Sequence, residues 1–307
     1  MTSTPSTSTP STGTGSTATA DELRQAGLDP DEALQVVRTA LDEDLRYGPD
    51  ATTAATVPAD AVAEAAFNAR KAGVLAGVPV VRAVLDEVLG ADGYEIETAR
   101  PEGVALVPGE TALRLRAPVA GLLTAERTAL NLISHLSGVA TATAAWVSAV
   151  SGTGCRVRDS RKTLPGLRAL QKYAVRCGGG VNHRLGLGDA VLIKDNHVVA
   201  AGSAVAALRA CREHSPELPI EVEVSDVDEL ESVLAEGAEL VLLDNFTPEQ
   251  CAKAVRSTAK LAPGTELEAS GGLTLELARA YAETGVDYLA AGHLTHSSPA
   301  LDIGLDM

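Results

Sequence analysis

Between residues 155 and 292 one pattern returns six times: a compact apolar strand closing on polar or glycine residues, as in CRVRDSRK, AVLIKDNH, IEVEVSD, LVLLDNF, ELEASGG and YLAAGH. The strand centres, near residues 157, 192, 222, 242, 268 and 289, are spaced by roughly 20 to 35 residues, room for one helix between successive strands. Segments 201–213, 226–236 and 248–259 read as such helices. That rhythm belongs to a parallel sheet or barrel, whose chemistry gathers at the strand C-termini. No GxGxxG opens a helix after a strand and no Walker A motif is present, so dinucleotide-binding and P-loop folds find no support.

The first half reads differently. Leu34, Val37, Leu41 and Leu45 recur at helical spacing behind Pro30, which predicts one amphipathic helix over 21–46. From 56 to 118 the runs AEAAFNAR, EIETA and ALRLRAP, separated by Gly and Pro, predict antiparallel strands, with PVVRAVLDEVL (79–89) as a helix across them. That block is an α/β sandwich. The uncharged stretch 128–151 is diluted by Ala and interrupted by Asn131, Ser134 and His135, so it fits a buried helix pair better than a membrane span. Residues 1–20 hold only Met, Ser, Thr, Pro, Gly and Ala, the composition of a disordered tail rather than a signal peptide.

Charge narrows the partners. A net charge of −16 argues against nucleic acid or an anionic membrane surface. The four cysteines form no CxxC pair, consistent with a reducing cytoplasm. Yet residues 155–200 hold nine basic side chains against three acidic ones, a local +6 that leaves −22 for the rest of the chain. A field of opposite sign inside an acidic protein is the mark of an anion site. Arg161, Lys162 and Lys194 fall at strand C-termini and are assigned to it, whereas Arg168, Lys172 and Arg176 are read equally as site residues or solvated helix charges. CGGGVNHR reads as a flexible stretch that carries His183 and Arg184 into the same segment.

Carboxylates face this cluster. In IEVEVSD, Glu221 and Glu223 share one strand face and Ile220, Val222 and Val224 the other. Glu223, with Asp244 at the end of LVLLD, makes an oxygen donor set for Mg²⁺, while Glu221 is read either that way or as a buried partner of Arg or Lys. Ser270, Gly271 and Gly272 end one strand and Gly292 the next, where barrels often hold a phosphate on backbone N–H groups. Guanidiniums, ammoniums, a metal set and a phosphate nest together suit a small polyanionic substrate pair.

These residues resemble the quinolinate phosphoribosyltransferases, a family of type II phosphoribosyltransferases. The likeness runs through EDLRYGPDATT (43–53), GVLAG (73–77), LLTAERTALNLISHLSGVAT (122–141), DSRKTLPGLRALQKYAVRCGGGVNHRLGLGDAVLIKDNH (159–197), EVEV (221–224), LLDN (242–245), EASGG (268–272) and ALDIGLD (300–306). It implies an N-terminal α/β sandwich (21–127) joined to an open, incomplete α/β barrel (128–297), with 298–307 packing back on the first domain. It also implies a cytoplasmic homodimer with shared sites, or a higher oligomer, that joins quinolinate to phosphoribosyl pyrophosphate with Mg²⁺. Nicotinate mononucleotide, pyrophosphate and CO2 would be the products.

By the same resemblance, Arg161, His183, Arg184 and Lys194 are similar to the quinolinate-binding set, completed by Arg127 from the neighbouring subunit. Lys162 and Lys194 resemble groups near the pyrophosphate, Glu223 and Asp244 those near ribose and metal, and Lys162, Lys194, Glu223 and Asp244 form the catalytic set. Ser270, Gly271, Gly272, Gly292 and His296 resemble phosphate contacts. Three other readings compete: a phosphosugar aldolase with Lys194 as Schiff-base former, a paralogue tied to molybdenum transport, and a non-catalytic sensor of a phosphorylated metabolite.

Overall fold

The computed structural model describes residues 16–307. The first region runs through helices α1 (Thr17–Gln25), α2 (Pro30–Leu45) and α3 (Ala51–Thr56), strands β1 (Val62–Ala69) and β2 (Gly73–Val74), helix α4 (Val78–Leu89) and strands β3 (Glu95–Ala99), β4 (Ala105–Leu106) and β5 (Thr111–Pro118). Helix α5 (Val119–Val150) leads into the second region, β6 (Arg156–Arg158), α6 (Arg168–Cys177), β7 (Val191–Ile193), α7 (Asp195–Ala201) and α8 (Ala204–His214). It continues through β8 (Ile220–Val224), α9 (Val227–Ala235), β9 (Leu240–Asp244), α10 (Pro248–Leu261), β10 (Glu266–Ser270), α11 (Leu275–Ala282), β11 (Tyr288–Ala290) and α12 (His293–His296). The last strand is β12 (Ile303–Asp306).

Three expectations need correcting. The single helix over 21–46 is two, because Gly27 takes φ +71° and Asp29 then caps a new helix, accepting from the N–H groups of Asp31 and Glu32 with Pro30 at the first position. The helix pair at 128–151 is one 32-residue helix. Of the tail expected over 1–20, residues 17–20 belong to α1, which Ser16 caps by accepting from the Thr19 N–H, and residues 1–15 lie outside the described residues.

Strands β1, β3, β5 and β12 form an antiparallel sheet in the order β12-β1-β5-β3. In β5, Leu113, Leu115 and Ala117 are buried while Arg114 and Arg116 are exposed, so its inner face packs on α5, which in turn packs on α4. The chain's last strand returns to the first domain, with Ile303 opposite Ala69 and Asp306 opposite Ala66. The six other long strands are parallel, in the order β6-β11-β10-β9-β8-β7, and the two edges β6 and β7 do not pair. The barrel is open at that seam.

Two apolar cores follow. One holds the inner sheet face with α2, α4, the first two thirds of α5 as far as Ala140, and Leu170, Tyr173, Ala174 and Val175 of α6. The other packs Val222, Val224, Val241, Leu243, Leu267, Ala269 and Leu289 of the barrel strands under the outer helices, with Trp146 and Val150 of α5. A boundary at 127/128 thus falls inside α5, which serves both cores. α5 is long and apolar enough to cross a membrane, but 50% of its most apolar window is buried and it behaves here as a core helix.

Candidate active site

The strand residues that alternate with the outer core face the barrel lumen, and many of them are charged, Arg158, Glu221, Glu223, Asp244 and Glu268 among them. Arg158 Nη1 donates to Glu268 Oε2 at 2.7 Å. The guanidiniums of Arg156 and Arg158 lie 4.4 and 3.9 Å from the Tyr288 ring centre. The lumen is therefore lined by groups that must pair or find a ligand.

At the strand C-termini the lumen opens into a cavity of about 520 Å³. Its wall brings together Arg161, Lys162, His183, Arg184, Lys194, Glu223, Asp244, Ser270, Gly271 and Gly292 from seven separate stretches of chain, together with Ser160, Leu192, Leu242, Glu268 and Ala290. Gly272 follows Gly271 and is exposed, and His296 stands exposed on α12. Arg127 is exposed on α5 and does not line the cavity.

The cationic side is held in wait. Arg161 has no hydrogen-bond partner for its buried Nε among the described residues, and neither has Arg184 for its own. Burial, and after it the charge of Arg161, depress the Arg184 guanidinium below its ordinary value. Two guanidiniums kept close enough to repel form a site for a multiply charged anion. Lys194 is ion-paired with Glu223 across the cavity mouth.

The segment carrying His183 and Arg184 is anchored from beneath. Lys172, fully buried, donates to Asp159 at 2.5 Å and to the His183 carbonyl at 2.8 Å. Asp159 also accepts from the His183 N–H at 2.8 Å and from Asn182 Nδ2 at 2.6 Å. Lys172 is thus neither solvated nor in the cavity, and burial lowers its pKa against the pull of Asp159. Nor are Gly178 and Gly180, just before His183, there for flexibility: a Cβ on Gly178 would lie 2.4 Å from the Ala140 carbonyl and one on Gly180 2.8 Å from the Thr143 side chain, so they let this segment press against α5.

His183 is itself fully engaged. Its Nδ1 accepts from the Arg184 N–H at 2.7 Å, so Nε2 carries the proton and donates to Glu221 Oε2 at 2.7 Å. Both ring nitrogens face protein. The ring fixes the backbone of Arg184, and Glu221 is a buried partner to it.

On the anionic side, Glu223 and Asp244 stand at the ends of the adjacent strands β8 and β9. Their carboxylate oxygens at a partly solvated rim suit a hard cation that keeps some of its waters, so the donor set fits Mg²⁺. Gly271 has φ +87°, and a Cβ there would come within 2.3 Å of Asn245 Oδ1. Asn245 is the one non-glycine at positive φ among the described residues, with φ 57°. Its N–H donates to the Ser270 carbonyl at 2.9 Å, tying the two strand ends into one turn cluster. Sequence reasoning passed over Asn245 and also Glu268, though the alternation Glu266, Leu267, Glu268 repeats the signal that singled out Glu221 and Glu223.

Comparison with known proteins bears on this geometry. Residues 50–137 match the N-terminal domain of quinolinate phosphoribosyl transferase and residues 139–306 its C-terminal domain. The chain is 59% identical over 277 residues to the nicotinate-nucleotide pyrophosphorylase [carboxylating] of Mycobacterium leprae, covering 90% of this chain and 98% of that one. With the human nicotinate-nucleotide pyrophosphorylase [carboxylating] it shares 39% identity over 84% of this chain and 87% of that one. The solved structure of the nicotinate-nucleotide pyrophosphorylase from Francisella tularensis superimposes with a TM-score of 0.82 at 35% identity, covering 90% of this chain and 96% of that chain.

Proposed function

The chain belongs to the quinolinate phosphoribosyltransferase family, and on that premise we propose how its barrel mouth carries out the carboxylating nicotinate-nucleotide pyrophosphorylase reaction of NAD de novo synthesis. One observation carries the assignment: Arg161 and Arg184 are held together with unpartnered buried nitrogens at the end of a parallel barrel. Quinolinate, a planar dicarboxylate, supplies the two negative charges that this pair lacks, and bidentate binding would aim the ring nitrogen at the anomeric carbon. Lys194 completes the carboxylate clamp. His183 acts by positioning Arg184.

Phosphoribosyl pyrophosphate would lie across the opposite rim. Ser270, Gly271, Gly272 and Gly292 offer backbone N–H groups to its 5′-phosphate, with His296 beside them, and Lys162 and Lys194 meet the pyrophosphate. As the bond from the anomeric carbon to pyrophosphate breaks, positive charge grows on the ribose, and Glu223 and Asp244 stabilise it. Mg²⁺ held by the same two carboxylates would neutralise charge on the departing pyrophosphate. Arg127 would reach the quinolinate of a neighbouring subunit in a homodimer. Lys194, exposed and ion-paired, lacks the apolar pocket that a Schiff-base lysine needs.

The test is product release. With both substrates and Mg²⁺, equimolar pyrophosphate and CO2 are expected, each dependent on both substrates. Binding of the two ligands without release of either product would overturn the reading in favour of a sensor.

A further inference from the structure

The lumen contains a carboxyl group that none of these steps uses. Glu268 lies on β10 two residues before Ser270, wholly buried, in the wall of the substrate cavity. Its Oε2 accepts from Arg158, but Oε1 has no hydrogen-bond partner among the described residues, and neither has Oε1 of the facing Glu221. The groups that face it are Glu221 from β8, His183 from the segment before β7, Arg158 from β6 and Tyr288 from β11, while its neighbour on β9 is Leu242.

An unpaired carboxylate oxygen in such a place is costly unless something binds it. A cation is one candidate, since ligand atoms of His183, Glu221 and Glu268 lie within 4.8 Å of one another. The tautomer of His183 excludes that use: Nδ1 accepts from the Arg184 N–H, so Nε2 bears hydrogen and has no lone pair for a metal. Arg158 adds a further positive charge. The remaining occupant is a proton shared out between two carboxyls, and Glu268 is the one to hold it, being the more deeply buried and 3.8 Å from His183 Nε2, whereas Glu221 accepts from that nitrogen at 2.7 Å.

The reaction needs a proton. Once the ring nitrogen is ribosylated, the carboxylate on carbon 2 leaves as CO2 and its bonding electron pair stays on carbon 2, stabilised by the adjacent ring cation. That carbon carries hydrogen in the product. We propose that Glu268 is the general acid of the decarboxylation half-reaction. Its O–H bond breaks as the carbon 2–hydrogen bond forms, and the carboxylate left behind is held by Arg158 and takes a proton from solvent after the product departs. No oxidant or reductant enters. Burial, and after it the charge of Glu221, push the Glu268 carboxyl up to about 7, so the acid form is populated at neutral pH.

This inference rests on the carboxylating activity proposed above, and single-turnover kinetics separate the two. Quinolinate labelled in the carbon 2 carboxylate is mixed with phosphoribosyl pyrophosphate, Mg²⁺ and excess protein, and pyrophosphate, CO2 and nicotinate mononucleotide are timed separately. In Glu268→Gln, pyrophosphate release is expected within about fivefold of the unmutated rate while nicotinate mononucleotide formation slows by about 100-fold or more. The N-ribosylated dicarboxylate accumulates, and Glu268→Asp recovers part of the loss. Equal slowing of both steps, or undiminished mononucleotide formation, would overturn the proposal. If the variants do not fold, the unmutated chain still decides. Its mononucleotide step should fall as pH rises through about 7, and a flat profile from pH 6 to 8.5 would overturn it. No pyrophosphate release from the unmutated chain would refute the activity itself, and the proposal with it.

Discussion

At the scale of single residues the site is governed by charges kept without their natural partners. Arg161 is the clearest case, with a buried nitrogen unpaired and a second guanidinium nearby. Arg161→Ala should therefore weaken quinolinate binding by about 2 to 5 kcal/mol, the cost of removing one partner from a desolvated charge pair, and phosphoribosyl pyrophosphate binding far less. Calorimetry with each ligand measures the difference, and equal losses would detach Arg161 from the ring carboxylates. Glu268 shows the opposite balance. Its carboxyl sits at about 7 in the fold against an ordinary 4.5, so the folded state holds the proton more tightly than the unfolded chain. The stability this contributes is complete below pH 4.5 and is lost as pH rises to about 7. Melting temperatures across that window should accordingly fall for the unmutated protein relative to Glu268→Gln, and parallel curves would show that no such proton is bound.

At the scale of elements the decisive feature is how short segments are pinned to rigid ones. Lys172 on α6 reaches under the loop that carries His183 and Arg184, sharing Asp159 with that loop's backbone. Lys172→Met would leave Asp159 buried and uncompensated, a loss of about 3 to 5 kcal/mol of stability with a drop in quinolinate affinity. Denaturant titration alongside binding tests it, and Asp159→Asn in the same background should restore part of the stability. At the opposite rim, Gly271→Ala would drive a Cβ against Asn245 in a backbone region that alanine avoids. The expected cost is about 1 to 3 kcal/mol, read as weaker phosphoribosyl pyrophosphate binding with quinolinate binding retained.

The difference between these two elements also explains what the sequence could reveal. The barrel strands were legible because period-two alternation with polar ends is a local signal, and so were Glu223 and Asp244 at those ends. Lys172 was not, since a lysine on a helix is usually solvated and only the approach of β6 and the loop at 182–183 encloses it. Likewise the break at Gly27 and the continuity of α5 depend on caps and on packing against two cores, which periodicity alone does not encode. Glu268 could have been found by extending the alternation to one more strand.

At the scale of the whole molecule, Arg127 is the residue that the single chain leaves unexplained, exposed on α5 and outside the cavity. If it serves a neighbour's site, mixing Arg127→Ala with Lys194→Ala should restore activity. A mixed dimer then contains one site with both lesions and one with neither, so roughly a quarter of sites are intact after random exchange. No recovery, with exchange verified by mass spectrometry, would confine Arg127 to its own subunit. The return of β12 to the first sheet has a consequence of another kind, in the order of events on the ribosome. Three strands of that sheet are complete once Pro118 has been made, but the edge of β1 is covered only by Ile303–Asp306. At ordinary elongation speeds of about 5 to 20 residues per second, the part translated first waits roughly 10 to 40 s for its last strand. Until then β1 is an open edge, able to pair with the same strand of a chain on a neighbouring ribosome. The codons for Ile303–Asp306 thus close a sheet whose other three strands end at Pro118.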